Sequence, residues 1–294
     1  MSLEVGFVVL GAIAFFASTV TGALGYGFSS LTVPVSLLFF ASRVLNPALV
    51  LVELAINLYA LLLNRQAIGR VWPRVAPLVL GLLPGVALGS WLLSSVSPDW
   101  MKLVTFVVLL PMILFQAAGV RWPIRRERAV GVPFGAGVGL LYSITTISGP
   151  PLALLFNNQG MAKADFKVAL AITRTAESVF TVIAYAWFGM FTVEATGLLP
   201  WILPGVLVGV PFGHWLIRRL DAETFRRVCM SFDAWVVAFG LSRMLQSLDL
   251  LDGAPAYSVL AVTIVLDAVL LTRFFAARHT ASPARSDRAL EAAL

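Results

Sequence analysis

The sequence predicts an all-α polytopic membrane protein made of two inverted-topology repeats. Each repeat is a broken-helix hairpin plus three spanning helices, and one extra helix follows at the C-terminus. Three observations carry this reading. Apolar stretches of about 20 residues, long enough to cross a hydrocarbon core, recur along almost the whole chain. Two long stretches of the chain read as copies of each other. The charge on matching loops reverses between the copies.

Composition sets the class. Hydrophobic residues are 59% of the 294 and charged residues 12%, a balance foreign to ordinary soluble domains. The single cysteine, Cys229, excludes an internal disulfide and a cysteine metal cluster, and two histidines, His214 and His279, are too few for a histidine-rich metal permease. No metal and no cofactor is expected. The opening MSLEVGFVVL lacks a basic region and a clear small-residue cleavage site, so it is expected to be retained. A net charge of +6 could suggest nucleic acid, but the basic residues sit mostly in short loops and the tail, where they orient a membrane protein. Without a Walker motif, a dinucleotide fingerprint or a histidine cluster, ATP drive within this chain and redox work are disfavoured.

In chain order the apolar segments are 5–40, 44–64, 75–96, 100–119, 129–157, 166–189, 195–217, 228–246 and 256–276. Segments 5–40 and 129–157 are too long for one span and too short for two comfortable ones. The second contains GLLYSITTISGPPLALLFN, in which Ser143, Thr145, Thr146 and Ser148 precede Gly149, Pro150 and Pro151. Proline fits the first turn of a helix and Ser148 suits an N-cap, so a helix broken near Ser143–Gly149 and restarted at Pro150 is expected. The first contains TGALGYGFSSLTVP, with Gly25, Tyr26, Gly27, Ser29, Ser30, Thr32 and Pro34, and a restart near Pro34 is expected there. Unwound backbone at membrane depth is tolerated only inside protein or beside a water-filled cavity. A kinked structural helix is the plainer alternative for either stretch taken alone.

The two stretches align. TGALGYGFSSLTVPVSLLF at 21–39 matches VGLLYSITTISGPPLALLF at 138–156 with an offset of 117, pairing Gly22 with Gly139 and Pro34 with Pro151. Further on, GVALGSWL at 85–92 matches GVPFGHWL at 209–216 with an offset of 124, which also places Glu53 on Glu177. Halves 1–119 and 129–246, a separate helix 256–276 and a disordered cytoplasmic tail 277–294 follow. Loops Arg65–Arg74, Arg121–Arg128, Lys163–Lys167 and Arg218–Arg227 are basic, whereas Ser97–Lys102 and Thr192–Glu194 are not. Only 41–47, with Arg43, is noncommittal. With basic loops inside, the N-terminus is outside and the C-terminus cytoplasmic. Segment 129–157 is then a hairpin from the inside and 5–40 a hairpin from the outside. Aligned loops carry opposite bias, as inverted repeats require.

Both restarted half-helices would aim N-termini at a meeting point near the midplane, which favours an anion. Glu53 and Glu177 lie mid-segment, where a carboxylate either carries function, such as proton coupling, or locks helices as half of a pair. Arg174 lies three residues before Glu177 on the same helix face, and its repeat position is Val50. It can pair with Glu177, touch an anionic substrate, or do both. The glycine ladders Gly81-Gly85-Gly89 and Gly205-Gly209-Gly213 read as close helix packing. Asp233 and Asp267 could each pair with an arginine, and Trp91 and Trp215 read as interfacial anchors.

The duplicated halves, with TGALGYGFSSLTVP in the first and SGPP in the second, resemble the TauE/SafE family of membrane transporters. The resemblance covers roughly residues 5–246, and its signature stretches correspond to Gly22–Pro34 and Tyr142–Pro151. It implies export of small anions, notably sulfite or organosulfur and sulfonate-derived compounds, across the bacterial cytoplasmic (inner) membrane, with proton coupling. Arg174 does not map onto a signature stretch of the resemblance, and its role rests on physics alone. The expected substrate-binding set is Gly25, Tyr26, Gly27, Ser29, Ser30, Thr32, Pro34, Tyr142, Ser143, Thr145, Thr146, Ser148, Gly149, Pro150 and Arg174. Glu53 and Glu177 are the expected coupling groups. Expected partners are a small anion, protons and lipid, with no nucleic acid; the oligomeric state is left open. An anion channel of the same architecture and a membrane-embedded enzyme are the competing classes, and a secondary transporter, not an enzyme, is the leading one.

Overall fold

The computed structural model describes residues 3–63, 65–118, 127–158, 161 and 163–281. Among them there is no strand. The helices are α1 (Leu3–Leu24), α2 (Phe28–Ser36), α3 (Ser42–Leu63), α4 (Ile68–Ser95), α5 (Pro98–Ala117), α6 (Glu127–Thr145), α7 (Gly149–Asn158), α8 (Lys163–Trp187), α9 (Val193–Thr196), α10 (Leu199–Leu216), α11 (Ala222–Ser247) and α12 (Ser258–Ala281). Eight helices among the described residues are long and apolar enough to cross a membrane. Exposed Leu207, Val208, Val262 and Val265 dress their outer faces with the apolar surface lipid requires. The protein is a multi-pass membrane protein. Residues 277–281 of the expected tail continue α12, while 282–294 and the basic loop residues 119–126 lie outside the described residues.

Both awkward segments are broken. The first divides into α1 and α2, and its two ends come back together: the Phe7 and Phe40 rings lie 5.6 Å apart, and a Cβ on Gly6 would sit 3.2 Å from the Phe39 Cβ. The second divides into α6 and α7. The unwound part is short in both, residues 25–27 and 146–148. Ser29 and Ser30 therefore stand in the first turn of α2, and Ser143 and Thr145 in the last turn of α6. The expected restart near Pro34 is corrected, because α2 begins at Phe28 and Pro34 is buried inside it. Gly25 and Gly27 already break the chain, which leaves the proline to be absorbed near the far end of a nine-residue helix.

The longest pairings run crosswise between the halves, α1 along α10 and α4 along α6. Glycine makes them possible. A Cβ on Gly85 would meet the Ala136 carbonyl oxygen of α6 at 2.0 Å, and one on Gly213 would meet the Thr19 oxygen of α1 at 1.9 Å. Such contact is open only to residues without a side chain, so backbones touch along both seams. α3 and α8, which carry the glutamates, pack against each other, and α8 also packs on α4.

Ion pairs tie the helices. Arg70 in the first turn of α4 pairs with Asp165 in the first turn of α8, joining the two helix starts at one end of the molecule. Arg43 donates to the Leu93 carbonyl at 2.8 Å and the Val96 carbonyl at 2.7 Å, so it caps α4 at the opposite end. Asp267 of α12 pairs with Arg227 of α11 at 2.7 Å, both buried, and docks the last helix.

Candidate functional site

The two breaks are made differently. α1 ends where Gly25 turns left-handed (φ 84°), and its N–H still reaches the Thr21 oxygen at 2.7 Å. Gly27, at φ 114°, sets the start of α2. Glycine takes both values without a Cβ penalty. In the second hairpin the left-handed residue is Thr146 (φ 55°), β-branched and buried, a conformation that costs about 1–3 kcal/mol and persists only where the surroundings enforce it. They do. The Thr145 hydroxyl donates to the Leu141 oxygen at 2.8 Å and accepts from the Ile147 N–H at 3.0 Å. The carbonyls stranded at the end of α6 are met by other helices: Asn46 donates to Ile144 at 2.6 Å, and the Tyr185 hydroxyl to Ser143 at 2.5 Å. This is how freed backbone is made tolerable away from water.

Beside the breaks lie the charges. Glu53 on α3 and Glu177 on α8 are both fully buried. Arg174 does not take Glu177, one turn along its own helix. Its Nη2 donates to Glu53 Oε1 at 2.7 Å, across from one half to the other. The same oxygen accepts the Ser29 hydroxyl at 2.7 Å, and Oε2 accepts the Tyr142 hydroxyl at 2.8 Å. Because Tyr142 spends its one proton on Glu53, Ser178 donates to Tyr142 at 2.9 Å, and Asn57 donates to Ser178 at 3.1 Å. A directed chain Asn57–Ser178–Tyr142 thus ends on Glu53, whose charge is fully met.

Glu177 is served less well. Its Oε2 accepts the Ser148 hydroxyl at 2.5 Å, while its Oε1 is buried without a partner. Ser148 thus stands where an N-cap would, but its hydroxyl goes to the glutamate and not to α7. Each glutamate receives a hydroxyl from the start of the restarted helix in its own half, Ser29 to Glu53 and Ser148 to Glu177. Arg174 Nε is also buried without an acceptor. An orphaned donor and an orphaned acceptor one turn apart are rare in a folded interior.

The two tips meet. Gly27, Ser29, Ser30, Thr146, Ile147, Ser148, Gly149 and Arg174 surround one space, and Gly149 lies against the Tyr26 ring. The first turns of α2 and α7 border it with their positive dipole ends; α2 adds the unpaired N–H groups of its first turn, while Pro150 and Pro151 leave α7 only that of Gly149. The space is too tight for a water molecule. Seven residues named from the sequence are gathered here: Gly27, Ser29, Ser30, Thr146, Ser148, Gly149 and Arg174. The others stand apart. Tyr142 belongs to the Glu53 network, Ser143 faces Gly89 of α4, and Thr145 braces the break. Thr32 is buried with an unpartnered hydroxyl, Pro34 lies beyond it, Gly25 faces open space, and Pro150 stands in the first turn of α7.

Asn46, Asn57, Ser178 and Tyr185 were missed by the sequence reading. Two had a signal: Asn46, Glu53 and Asn57 fall at i, i+7 and i+11, one polar face on an apolar helix. Tyr185 gave none, since its partner is a carbonyl exposed only by the break.

Comparison with known proteins adds a further finding. A family model described as "Sulfite exporter TauE/SafE" matches residues 10–239. A protein from Cupriavidus necator described as "Probable sulfite/organosulfonate exporter TauE" is 29% identical over 245 residues, covering 82% of this chain and 93% of that protein. No solved structure matches.

Proposed function

The chain belongs to the TauE/SafE family of sulfite exporters, and on that premise we propose that it is a secondary transporter carrying a small anion, sulfite or an organosulfonate, outward across the bacterial cytoplasmic membrane. The observation that carries this reading is the tip site. Two helix N-termini from different halves converge on Arg174, whose Nε–H has no acceptor. An oxyanion between the tips would take that donor, the free N–H groups of the first turn of α2 and the Gly149 N–H at the head of α7, where Pro150 and Pro151 supply none.

Halves 1–119 and 129–246 are inverted repeats in this reading, with 256–276 appended, the N-terminus outside and the C-terminus cytoplasmic. The crosswise pairing of α1 with α10 and α4 with α6 supports it, as an exchange of equivalent partners between halves. Protons couple through Glu177. Glu53 is neutralised by Arg174 and two hydroxyls, whereas Glu177 holds one hydroxyl and one bare oxygen, so it is the carboxylate whose protonation an arriving anion alters.

The tightness of the tip space favours alternating access over an open channel, because the tips must part before cargo fits. Purified protein in liposomes with an imposed pH gradient tests this. A transporter accumulates sulfite or methanesulfonate beyond its equilibrium distribution, and the accumulation collapses with the gradient. Flux that stops at equilibrium under every gradient would assign the channel instead.

A further inference from the structure

Behind the first tip lies a second space that the tip site does not use. Tyr26 is mounted between Gly25 and Gly27, both at positive φ. Its ring closes on Gly149 of the opposite tip, where a Cβ would come to 3.3 Å, and its hydroxyl faces Arg226 of α11. On the α11 side of Tyr26 a pocket of about 380 Å³, open mouth included, is lined by Gly27, Ser30, Arg226, Cys229 and Asp233. This pocket admits water and the tip space does not. Gly27 and Ser30 line both, so one short wall separates them.

Two polar groups in this pocket are unsatisfied. Asp233 is 6% exposed and its Oδ1 has no hydrogen-bond partner. Arg226 gives Nη2 to Glu223 at 2.5 Å and leaves its buried Nε without an acceptor. Buried polar atoms without partners carry a desolvation cost, so a free donor and a free acceptor on one wetted pocket mark a place where a solute supplies the counterparts. That solute has an anionic end for Arg226 and a hydrogen-bond donor for Asp233.

We propose that this pocket is the access chamber on the basic-loop side, that it takes anions bearing a donor of their own (hydroxy- or aminosulfonates, or singly protonated sulfite), and that Tyr26 is the plug between chamber and tip site. The inference rests on the transporter reading. Two flanking glycines let the ring swing without dragging either helix, and the ring lies against Gly149 of the opposite tip while its hydroxyl is turned to the chamber.

The native protein carries its own reporter, since Cys229 is the only cysteine and lines the chamber. In liposomes of defined orientation, membrane-impermeant anionic and cationic methanethiosulfonates are applied to each side. The chamber predicts reaction from the basic-loop side alone, about tenfold faster for the anionic reagent, and Arg226→Gln removes that preference. It predicts that 2-hydroxyethanesulfonate protects Cys229 better than ethanesulfonate, a difference that Asp233→Ala abolishes. For the plug, Ser30→Cys in a Cys229→Ser background reacts slowly, and adding Tyr26→Ala speeds it several-fold while the melting temperature holds. Equal rates for both reagents, equal protection by both sulfonates, or an unchanged Ser30→Cys rate would overturn the proposal. Wild-type flux measured in the same vesicles separates the two levels. Flux without charge-selective labelling sinks the chamber and leaves the transporter, and labelling without flux does the reverse.

Discussion

Arg174 on α8 reaches Glu53 on α3 at 2.7 Å, across the boundary between the halves, and leaves Glu177 on its own helix to a serine. The pair sits where the two tips meet, so the charge balance of the site is set between halves and not within one.

Removing one partner strands the other. Glu53→Gln or Arg174→Gln should each cost about 3–5 kcal/mol in denaturant unfolding, because a buried charge loses its counter-charge. The double variant should be more stable than Arg174→Gln alone. A double-mutant cycle decides the pairing: the coupling of position 174 to 53 should exceed its coupling to 177. A larger coupling to 177 would contradict the cross-half pair.

Glu177→Gln keeps a carbonyl oxygen for the Ser148 hydroxyl and removes the titrating group. The variant should fold with a melting temperature close to wild type and transport with a flattened pH profile. Wild-type pH dependence in a folded Glu177→Gln would move the coupling elsewhere.

Arg70 at the start of α4 and Glu194 in α9 are equivalent positions in the proposed repeat, and both are exposed. Single cysteines at these positions, in a background lacking Cys229, should label from opposite sides of the membrane. Labelling from one common side would end the inverted arrangement.

The glycine seams give a graded test. Gly85→Ala and Gly213→Ala force a Cβ into a facing carbonyl oxygen, at 2.0 and 1.9 Å, and should destabilise by about 1–3 kcal/mol. Gly137→Ala, on α6 but with nothing within 4 Å, should be neutral or gain about 0.5–1 kcal/mol from helix propensity. Thermal unfolding in detergent ranks the three.

Much of this architecture was legible in the residues. Glycine, hydroxyl and proline clusters inside apolar segments of awkward length announced both breaks, and Glu53 and Glu177 announced themselves by their depth. What the sequence withheld were contacts set by how helices rotate and slide against one another. Glu177, three residues from Arg174, is the obvious local partner, and only the packing of α3 on α8 brings Glu53 closer. Pro34 looked like a helix start because it aligns with Pro151 beside the expected restart at Pro150, yet Gly25 and Gly27 break the chain first. Arg43, noncommittal as a loop charge, takes its role from the end of α4, which lies about 50 residues away along the chain.

The bracing of the second break by Asn46 and Tyr185 has a mechanical consequence. The Ser143 and Ile144 carbonyls that lead into it are bolted to α8 and α3, whereas among the described residues the side-chain bond to a carbonyl of residues 25–27 is local, from Ser30 of the adjoining α2 to Gly27 at 3.1 Å. One hairpin is then a stator and the other a moving arm, although their sequences align. Backbone amides at Gly25–Phe28 should exchange with solvent faster than those at Thr146–Gly149, and Asn46→Ala should narrow the gap by loosening the fixed side. Two similar breaks thus divide the labour between holding still and giving way.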